Sequence, residues 1–378
     1  MHRSRSLRRL LPYLFITTLL LLFWSMPSHR KEHTKLSIRP PYKLSFSREL
    51  LQRALHGEVP AMYQLLIEWD AHAADDRYVK SIALARQILT HSTNPLEQAI
   101  SITDDLGSTI ACQPEAFFLP QTHLAASIML AVADPIQIVA LPRGMRQMND
   151  IYPTETMNLI DLDTDRYSSE SIYSKQPVAA FVARYSYPPT LETLKQQGLE
   201  LVFLDDLSSI EACLSHIRKI GQLTGHPDRG ELLAAFTECA LAALDNEIAL
   251  AEKPLPSKTL FLSLNNSWST PTKRTLTGML LDRLGCTWPT AEPSGSWSVA
   301  LDQERIHCYR PELLMVATKE RTSTQHVLES LPGIRETPAF EKGNVFFLDE
   351  NLQNCPCQLI ALAYYDLCRA LLGGQEAA

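Results

Sequence analysis

Apolar residues recur at helical spacing in three stretches near the start of the chain: Glu49 to His56, Pro60 to Trp69 and Tyr78 to Thr90. Asn94-Pro95 closes this part. From about residue 98 the pattern changes. Ala99 to Thr103 predicts a strand, Asp104-Asp105-Leu106-Gly107 a hairpin turn and Ser108 to Cys112 its return. Further strands are predicted at Ala116 to Leu119, Ile136 to Leu141, Val178 to Val182 and Leu201 to Leu204. Helical patterns at His123 to Val132, Glu170 to Ser174, Thr190 to Gln197 and Ser209 to Leu223 alternate with them. Such alternation predicts a parallel sheet covered by helices.

A long helical pattern follows from Arg229 to Glu252. Leu232, Phe236, Cys239, Ala243 and Leu250 recur at near-helical intervals, and Pro254 and Pro256 end it. At about 1.5 Å per residue it is roughly 36 Å long, enough to bridge two lobes. A second alternating set comes next, with strands at Thr259 to Leu264, Leu313 to Ala317 and Val345 to Leu348. Its helices are predicted at Thr272 to Leu284, Gln303 to Cys308, Thr324 to Leu331 and Cys357 to Leu372. The expected fold class is α/β: two Rossmann-like α/β lobes joined by one long α-helix, with an N-terminal helical extension. The boundaries are 33–97 for the extension, 98–227 for the N-terminal lobe, 228–256 for the inter-lobe helix and 257–378 for the C-terminal lobe.

Residues 1–32 have another character. Arg3, Arg5, Arg8 and Arg9 precede an apolar run from Leu10 to Met26, and Pro27 follows. A basic region followed by a short apolar one predicts an export signal. The run is short for a spanning helix of about 20 residues, but no clean A-x-A site follows it, so an uncleaved inner-membrane anchor stands as the alternative. The expected compartment is the periplasm. With 35 Lys and Arg against 42 Asp and Glu, the net charge is −7, and the absence of a basic stripe argues against nucleic acid as a partner. Export makes disulfides permissible. Cys213, Cys239 and Cys368 nevertheless fall in apolar helical patterns, where Cys acts as a small buried hydrophobe. Cys355-Pro-Cys357 lacks the spacing of a redox or zinc motif.

The fourteen glycines form neither a G-x-G-x-x-G nor a G-x-x-x-x-G-K. Gly221-Gln222-Leu223-Thr224-Gly225 has Leu where a hydrolase elbow needs Ser. No H-E-x-x-H occurs. An α/β chain without these motifs points to binding and not to an enzyme.

The region from about 99 to 372 resembles the substrate-binding proteins of ABC importers for iron-siderophore, haem and cobalamin ligands, in which one long helix joins two lobes. The stretches that carry the resemblance occur in order. They are Ile102 to Gly107, Phe118-Leu119-Pro120-Gln121-Thr122, Leu191 to Leu204 with its Gly198 turn, Ile220 to Gly225, and Pro338 to Val345. A lipoprotein Cys near the apolar run is missing, and the extension at 33–97 is additional. The resemblance implies capture of a small-molecule metal chelate between the lobes and delivery to an ABC permease in the inner membrane, by a monomer. No resident cofactor is implied, although the ligand itself contains iron or cobalt. It also implies that Glu170 and Glu304, each opening a short helix, present one carboxylate per lobe to permease arginines. Without the resemblance, a Glu at a helix start is simply favoured by the macrodipole, by about 0.3–1 kcal/mol.

Ligands of open α/β sheets sit beyond the carboxyl ends of the strands. That rule nominates Gln121, Thr122, Arg143, Arg146, Arg184, Tyr185 and Tyr187 in the first lobe, with Tyr152 on a further loop. In the second it nominates Asn265, Asn266, Ser267, Trp268, Trp288 and Trp297. Aromatic rings give broad rigid contact and arginines match anionic oxygens. The arginines favour a ferric siderophore, whereas Tyr152 offers a phenolate for axial ligation of haem iron. His123 opens a helix and is a candidate metal ligand, although such positions are more often structural. No cluster of His and carboxylates suggests a free-metal site. Two other functions remain open: a cell-envelope interaction protein that kept the fold without a ligand, and an exported α/β enzyme with a dispersed site.

Overall fold

The computed structural model describes residues 43–71, 76–89, 100–113, 115–164, 167, 170–251, 255–265, 267–289, 296–353 and 357–373. The apolar run at 10–26, Asn94-Pro95, Asn266 and Cys355 lie outside them. Among the described residues no helix is long and apolar enough to cross a membrane.

Three helices open the described chain, α1 (Arg48–Leu55), α2 (Val59–Asp70) and α3 (Asp76–Leu89). Ser47 caps α1 by accepting from the Leu50 amide. A hairpin of β1 (Ile100–Thr103) and β2 (Thr109–Cys112) follows, pairing Ile100 with Cys112. Its Asp104-Asp105-Leu106-Gly107 turn is built as the sequence predicts. Asp104 Oδ1 accepts from the amides of Leu106 and Ser108 at 3.0 and 2.8 Å, and Gly107 takes φ +85°. Asp105 then ties the hairpin to the lobe, accepting from His216 Nε2 at 2.7 Å, Lys219 Nζ at 2.5 Å and the amides of Asp205 and Asp206. Burial would raise this carboxyl, but the hydrogen bonds from His216 and Lys219 hold it far below the usual carboxylate range.

The first lobe carries parallel strands β3 (Phe118–Pro120), β4 (Leu141–Pro142), β5 (Asp163–Thr164), β6 (Ala179–Val182) and β7 (Glu200–Phe203). β3, β6 and β7 are adjacent in that order, and β4 pairs with β5. A bridge between Phe118 and Ile138 joins the two groups. Both faces of this sheet are covered. Ala179 and Phe181 enter the main core, while Ala180 and Val182 enter a second cluster with Leu119, Leu194 and Leu201. The helices are α4 (His123–Val132), α5 (Pro188–Gln196) and α6 (Ile210–Leu223). The strand predicted at Ile136 to Leu141 is shorter than expected. Asp134-Pro135 starts a capped 3₁₀ turn that leaves Ile136 exposed, so regular pairing resumes only at β4.

The long helix α7 (Pro227–Ala249) follows, with Pro227 at its first position, where its missing N–H costs nothing. It is buried on several sides, by Leu232, Leu233, Phe236, Thr237, Cys239, Leu241 and Leu244 among others. Leu250, expected on its apolar face, lies just past its end and is exposed. α6 crosses it at a glycine pair. A Cβ on Gly221 would stand 2.7 Å from Gly230 Cα, so neither position has room for a side chain.

The second lobe has one five-stranded sheet in the order β10-β9-β8-β11-β12, formed by β8 (Thr259–Asn265), β9 (Ser267–Pro271), β10 (Ser298–Ala300), β11 (Leu313–Thr318) and β12 (Val345–Asp349). β8, β11 and β12 are parallel, and β9 and β10 form an antiparallel edge. Helices α8 (Leu276–Arg283), α9 (Gln303–Tyr309), α10 (Arg321–Ser330) and α11 (Ile360–Gly373) complete it. The edge strands lie where the sequence predicts loops. The helix expected from Thr272 begins only at Leu276, where Thr275 caps it.

The N-terminal helices do not form a separate core. Leu51, Leu55, Leu65 and Trp69 belong to the same cluster as α7 and both lobes. On the first lobe, Gln52 Nε2 donates to the carbonyls of Asp150 and Ile151 at 2.9 Å each, and His56 Nε2 donates to Ile151 O at 2.6 Å. On the second, Arg48 makes a two-pronged pair with Asp366 of α11, both bonds at 2.9 Å, and Tyr365 Oη donates to Phe46 O. Trp69 stacks on Phe236 of α7, ring centroids 5.4 Å apart. α1 is thus fastened to both lobes at once. The lobes also touch directly, where Gln358 Nε2 donates to Ser127 O on α4 at 2.9 Å.

Two expectations follow. Replacing Gly221 by Ala forces apart two helix backbones that have no slack, and should lower the urea midpoint by the equivalent of about 1–3 kcal/mol. Burial pushes the His56 imidazole down to about 4, against the opposing hydrogen bond that it donates to Ile151 O. The unfolded chain therefore binds a proton there between about pH 6.5 and 4 that the folded chain refuses. Stability should be full above pH 6.5 and fall by up to about 3 kcal/mol as the pH drops to 4. His56→Gln should flatten that part of a urea-stability profile against pH.

Candidate functional site

The carboxyl ends of β3, β4, β5, β6 and β7 lie at one edge of the first lobe, and a cavity of about 630 Å³ opens there. Its wall is made by the residues that leave these strands. Gln121 and Thr122 follow β3, Arg143 follows β4, Thr164 ends β5, Tyr185, Ser186 and Tyr187 follow β6, and Leu207 follows β7. His123 and Leu124, the first residues of α4, line it as well.

Local bonding fixes the floor. Gln121 N donates to Phe181 O at 2.9 Å, and Tyr167 Oη donates to Gln121 O at 3.4 Å. Tyr167 Oη also lies 3.3 Å from Thr164 Oγ1. Burial raises the Tyr167 phenol above its ordinary value, against hydrogen bonds from Thr164 and Gln121, so it stays a neutral donor. Thr122 caps α4, accepting from the Ala125 amide at 3.2 Å. His123 Nε2 is 3.2 Å from Arg143 O. Across the cavity Ala183 to Ser186 form a tight turn, with the Ser186 amide donating to Ala183 O. That turn carries Tyr185 and Tyr187 outward, 66% and 69% exposed, although large aromatic rings normally seek burial. The chemistry assembled is aromatic surface, amide and hydroxyl groups, and one guanidinium.

Five of the fourteen nominated ligand residues, Gln121, Thr122, Arg143, Tyr185 and Tyr187, are brought together here. Others are placed elsewhere. Arg184 turns away from its neighbours and pairs with the buried Asp205 at 2.5 Å, its backbone N–H bonding the same carboxylate, so its charge serves the turn. Arg146 bonds Asp163 at 2.7 Å and the carbonyls of Met157 and Ile160, pinning a loop. Tyr152 is a core residue, 2% exposed, edge-on to His56 and beside a different cavity of about 410 Å³ between α1 and the first lobe. It is not placed to ligate iron in the larger cavity.

In the second lobe, Asn265 ends β8 and Trp268 lies opposite Leu264, at the carboxyl end of the parallel strands, with the Trp268 ring buried. The other two tryptophans are at the opposite end. Trp297 O accepts from Thr272 N beyond β9, and Trp288 follows Thr287, whose carbonyl accepts from Thr259 N at the start of β8. Trp288 is buried with its indole N–H on Pro271 O, and the exposed Trp297 stacks with Arg274. Neither reaches the ligand side. Glu170 and Glu304 are both exposed, at the first turns of the 170–173 helical turn and of α9.

Thr164, Tyr167, Ser186 and Leu207 were not singled out from the sequence. Thr164 and Tyr167 follow from the same strand-end rule once β5 is known, but a two-residue strand has no periodicity to detect.

A family model described as "Periplasmic binding protein" matches residues 142–352. No curated protein gives a significant match. Among solved structures, the chain is similar to the periplasmic heme-binding protein RhuT from Roseiflexus sp. RS-1 in apo form, with TM-score 0.58 and 23% identity over 69% of this chain and 99% of that one. It is also similar to the periplasmic heme-binding protein HutB of Vibrio cholerae, with TM-score 0.53 and 19% identity over 66% and 96% of the two chains. A possible iron-binding (periplasmic solute-binding) protein from Staphylococcus epidermidis gives 0.57 and 17% over 68% and 97%. At such identities the structures establish a shared two-lobe fold. The family match spans more than half of the sequence, and the chain belongs to the periplasmic binding protein family.

Proposed function

We propose that this protein is the periplasmic capture component of an ABC importer, that its cargo is an anionic iron chelate, and that it binds without making or breaking bonds in it. The observation that carries this is the cavity at the strand ends of the first lobe. It gathers Tyr185, Tyr187, Gln121, Thr122 and Arg143 in a volume of about 630 Å³, inside the range of about 300–1,000 Å³ usual for small-molecule sites. Exposed tyrosine faces suit a large planar or aromatic chelate. Arg143 supplies a positive charge for carboxylate or catecholate oxygens. Haem is the first cargo to test, because the named structural relatives are described as heme-binding and because Tyr185 and Tyr187 hold phenol oxygens at the rim. Ferric siderophores are iron chelates as well, and cobalamin, a cobalt chelate, is the contrasting cargo to test. Capture at micromolar affinity needs about 8 kcal/mol net, which a few aromatic and guanidinium anchors can supply.

Delivery is assigned to Glu170 and Glu304. Both are exposed at helix starts, so salt bridges to permease arginines there are worth only about 0.2–1 kcal/mol each and act mainly on orientation and encounter.

Residues 33–378, titrated with haemin, ferric siderophores and cobalamin and followed by absorbance and tryptophan fluorescence, should give saturable binding of one of them. Tyr185→Ala and Tyr187→Ala should each weaken it about tenfold or more. Arg184→Ala and Trp297→Ala should leave it within about twofold, because neither side chain serves the cavity. No saturable response to any ligand in the panel overturns this function. In cells, the Glu170→Lys/Glu304→Lys double variant should abolish uptake of the cargo while its affinity in solution stays unchanged. Normal uptake by that variant removes the docking role.

A further inference from the structure

We infer that Gln121 is a specificity-determining hydrogen-bond donor of the cavity, reading an oxygen acceptor on the cargo, and that the buried hydroxyl of Ser186 is the positioning group that aims it. This deepens the proposed function and rests on the cavity being the cargo site.

The inference starts from Ser186, which is 5% exposed. A serine hydroxyl has one hydrogen to give and two lone pairs. One lone pair of Ser186 Oγ is taken by the Ala183 amide, which donates to it at 3.1 Å. The hydroxyl hydrogen needs an acceptor, and the side-chain carbonyl of Gln121 stands 2.6 Å away. With the amide turned over, its NH₂ would face Ser186, and the hydroxyl hydrogen would be left without a partner in a dry place, the costly outcome for a buried donor. The hydrogen-bond inventory therefore fixes the orientation: Oε1 towards Ser186, Nε2 away from it. The Gln121 backbone is held on both sides, by Phe181 O and Tyr167 Oη, so the residue cannot shift to compensate.

Gln121 lines the cavity beside Tyr167, whose hydroxyl its side-chain amide also meets. An amide nitrogen carries two hydrogens, so with one on Tyr167 the pre-aimed side chain keeps one N–H donor for the space where cargo would sit. A donor held in this way discriminates by penalty as much as by attraction, because a cargo with an apolar edge there would leave it desolvated and unpaired. The chemistry it selects is an oxygen acceptor without a competing hydrogen, such as a carboxylate or a chelating oxyanion. Arg143 lies on the same wall.

Gln121→Glu isolates the effect. Ser186 can still donate to one carboxylate oxygen, so the turn bearing Tyr185 and Tyr187 is kept, but the atom facing the cavity changes from donor to acceptor. With whichever of haemin, ferric desferrioxamine, ferric enterobactin and cyanocobalamin the wild type binds, Gln121→Glu should weaken affinity about 10–100-fold with an unchanged melting temperature. Ser186→Ala should weaken it less, and should have no further effect in a Gln121→Ala background, because its action passes through the amide. A merely structural role of Ser186 would weaken binding equally in both backgrounds. If the wild type binds and Tyr187→Ala impairs binding while Gln121→Glu does not, this inference alone falls. If none of the four ligands binds, the cavity is not a chelate site and both fall.

Discussion

The architecture depends on how closely α6 can approach α7. α7 follows α6 after a short turn and must serve as a core wall for the extension and both lobes, so it is buried on more than one side over most of its length. That requires the preceding helix to cross it at backbone distance, and the Gly221–Gly230 contact is where that happens. Everything that rests on α7 inherits this geometry. The Trp69–Phe236 stack positions the extension. Arg229 on its first turn bonds Asp134 at 2.8 Å, which starts the turn leading towards β4. The path from a glycine pair to the wall of the strand-end cavity is short.

Much of the fold was legible because its strongest elements are periodic and have clear punctuation. α4 was predicted at its observed bounds, since Thr122 caps a continuous apolar run and Asp134-Pro135 ends it. The hairpin at Asp104 to Gly107 was legible because each turn residue has a local reason to be there. Short or edge elements were not. β9 and β10 are antiparallel additions to a parallel sheet, and Ser-Trp-Ser-Thr-Pro reads as a loop until β8 is known to lie beside it. β5, with two residues, is visible only through its partner β4.

The lining of the strand-end cavity was partly legible for a related reason. The strand-end rule leads to this edge of the first lobe because β3, β6 and β7 lie close to their predicted positions. It cannot say which of several loop residues turns inward. Arg184 and Tyr185 are neighbours, yet one is claimed by Asp205 and the other lines the cavity. In the second lobe the missed edge strands reversed the chain direction, and two tryptophans assigned to the ligand side lie at the other end of the sheet. Tyr152 is placed away from the strand-end cavity for a different reason. Its loop is covered by α1, a long-range contact with no local signature.

The fastening of α1 to both lobes bears on the thermodynamics of cargo exchange. Arg48 holds Asp366 on one side while Gln52, four residues on, holds the 150–151 carbonyls on the other. A wide hinge motion would have to break one of these attachments and expose part of the Leu51, Leu55 and Trp69 cluster. The ordering entropy that a freely hinged receptor pays when its ligand arrives is here paid during folding. Binding without lobe closure should carry only a small heat-capacity change, because little apolar surface is buried beyond the ligand's own contact.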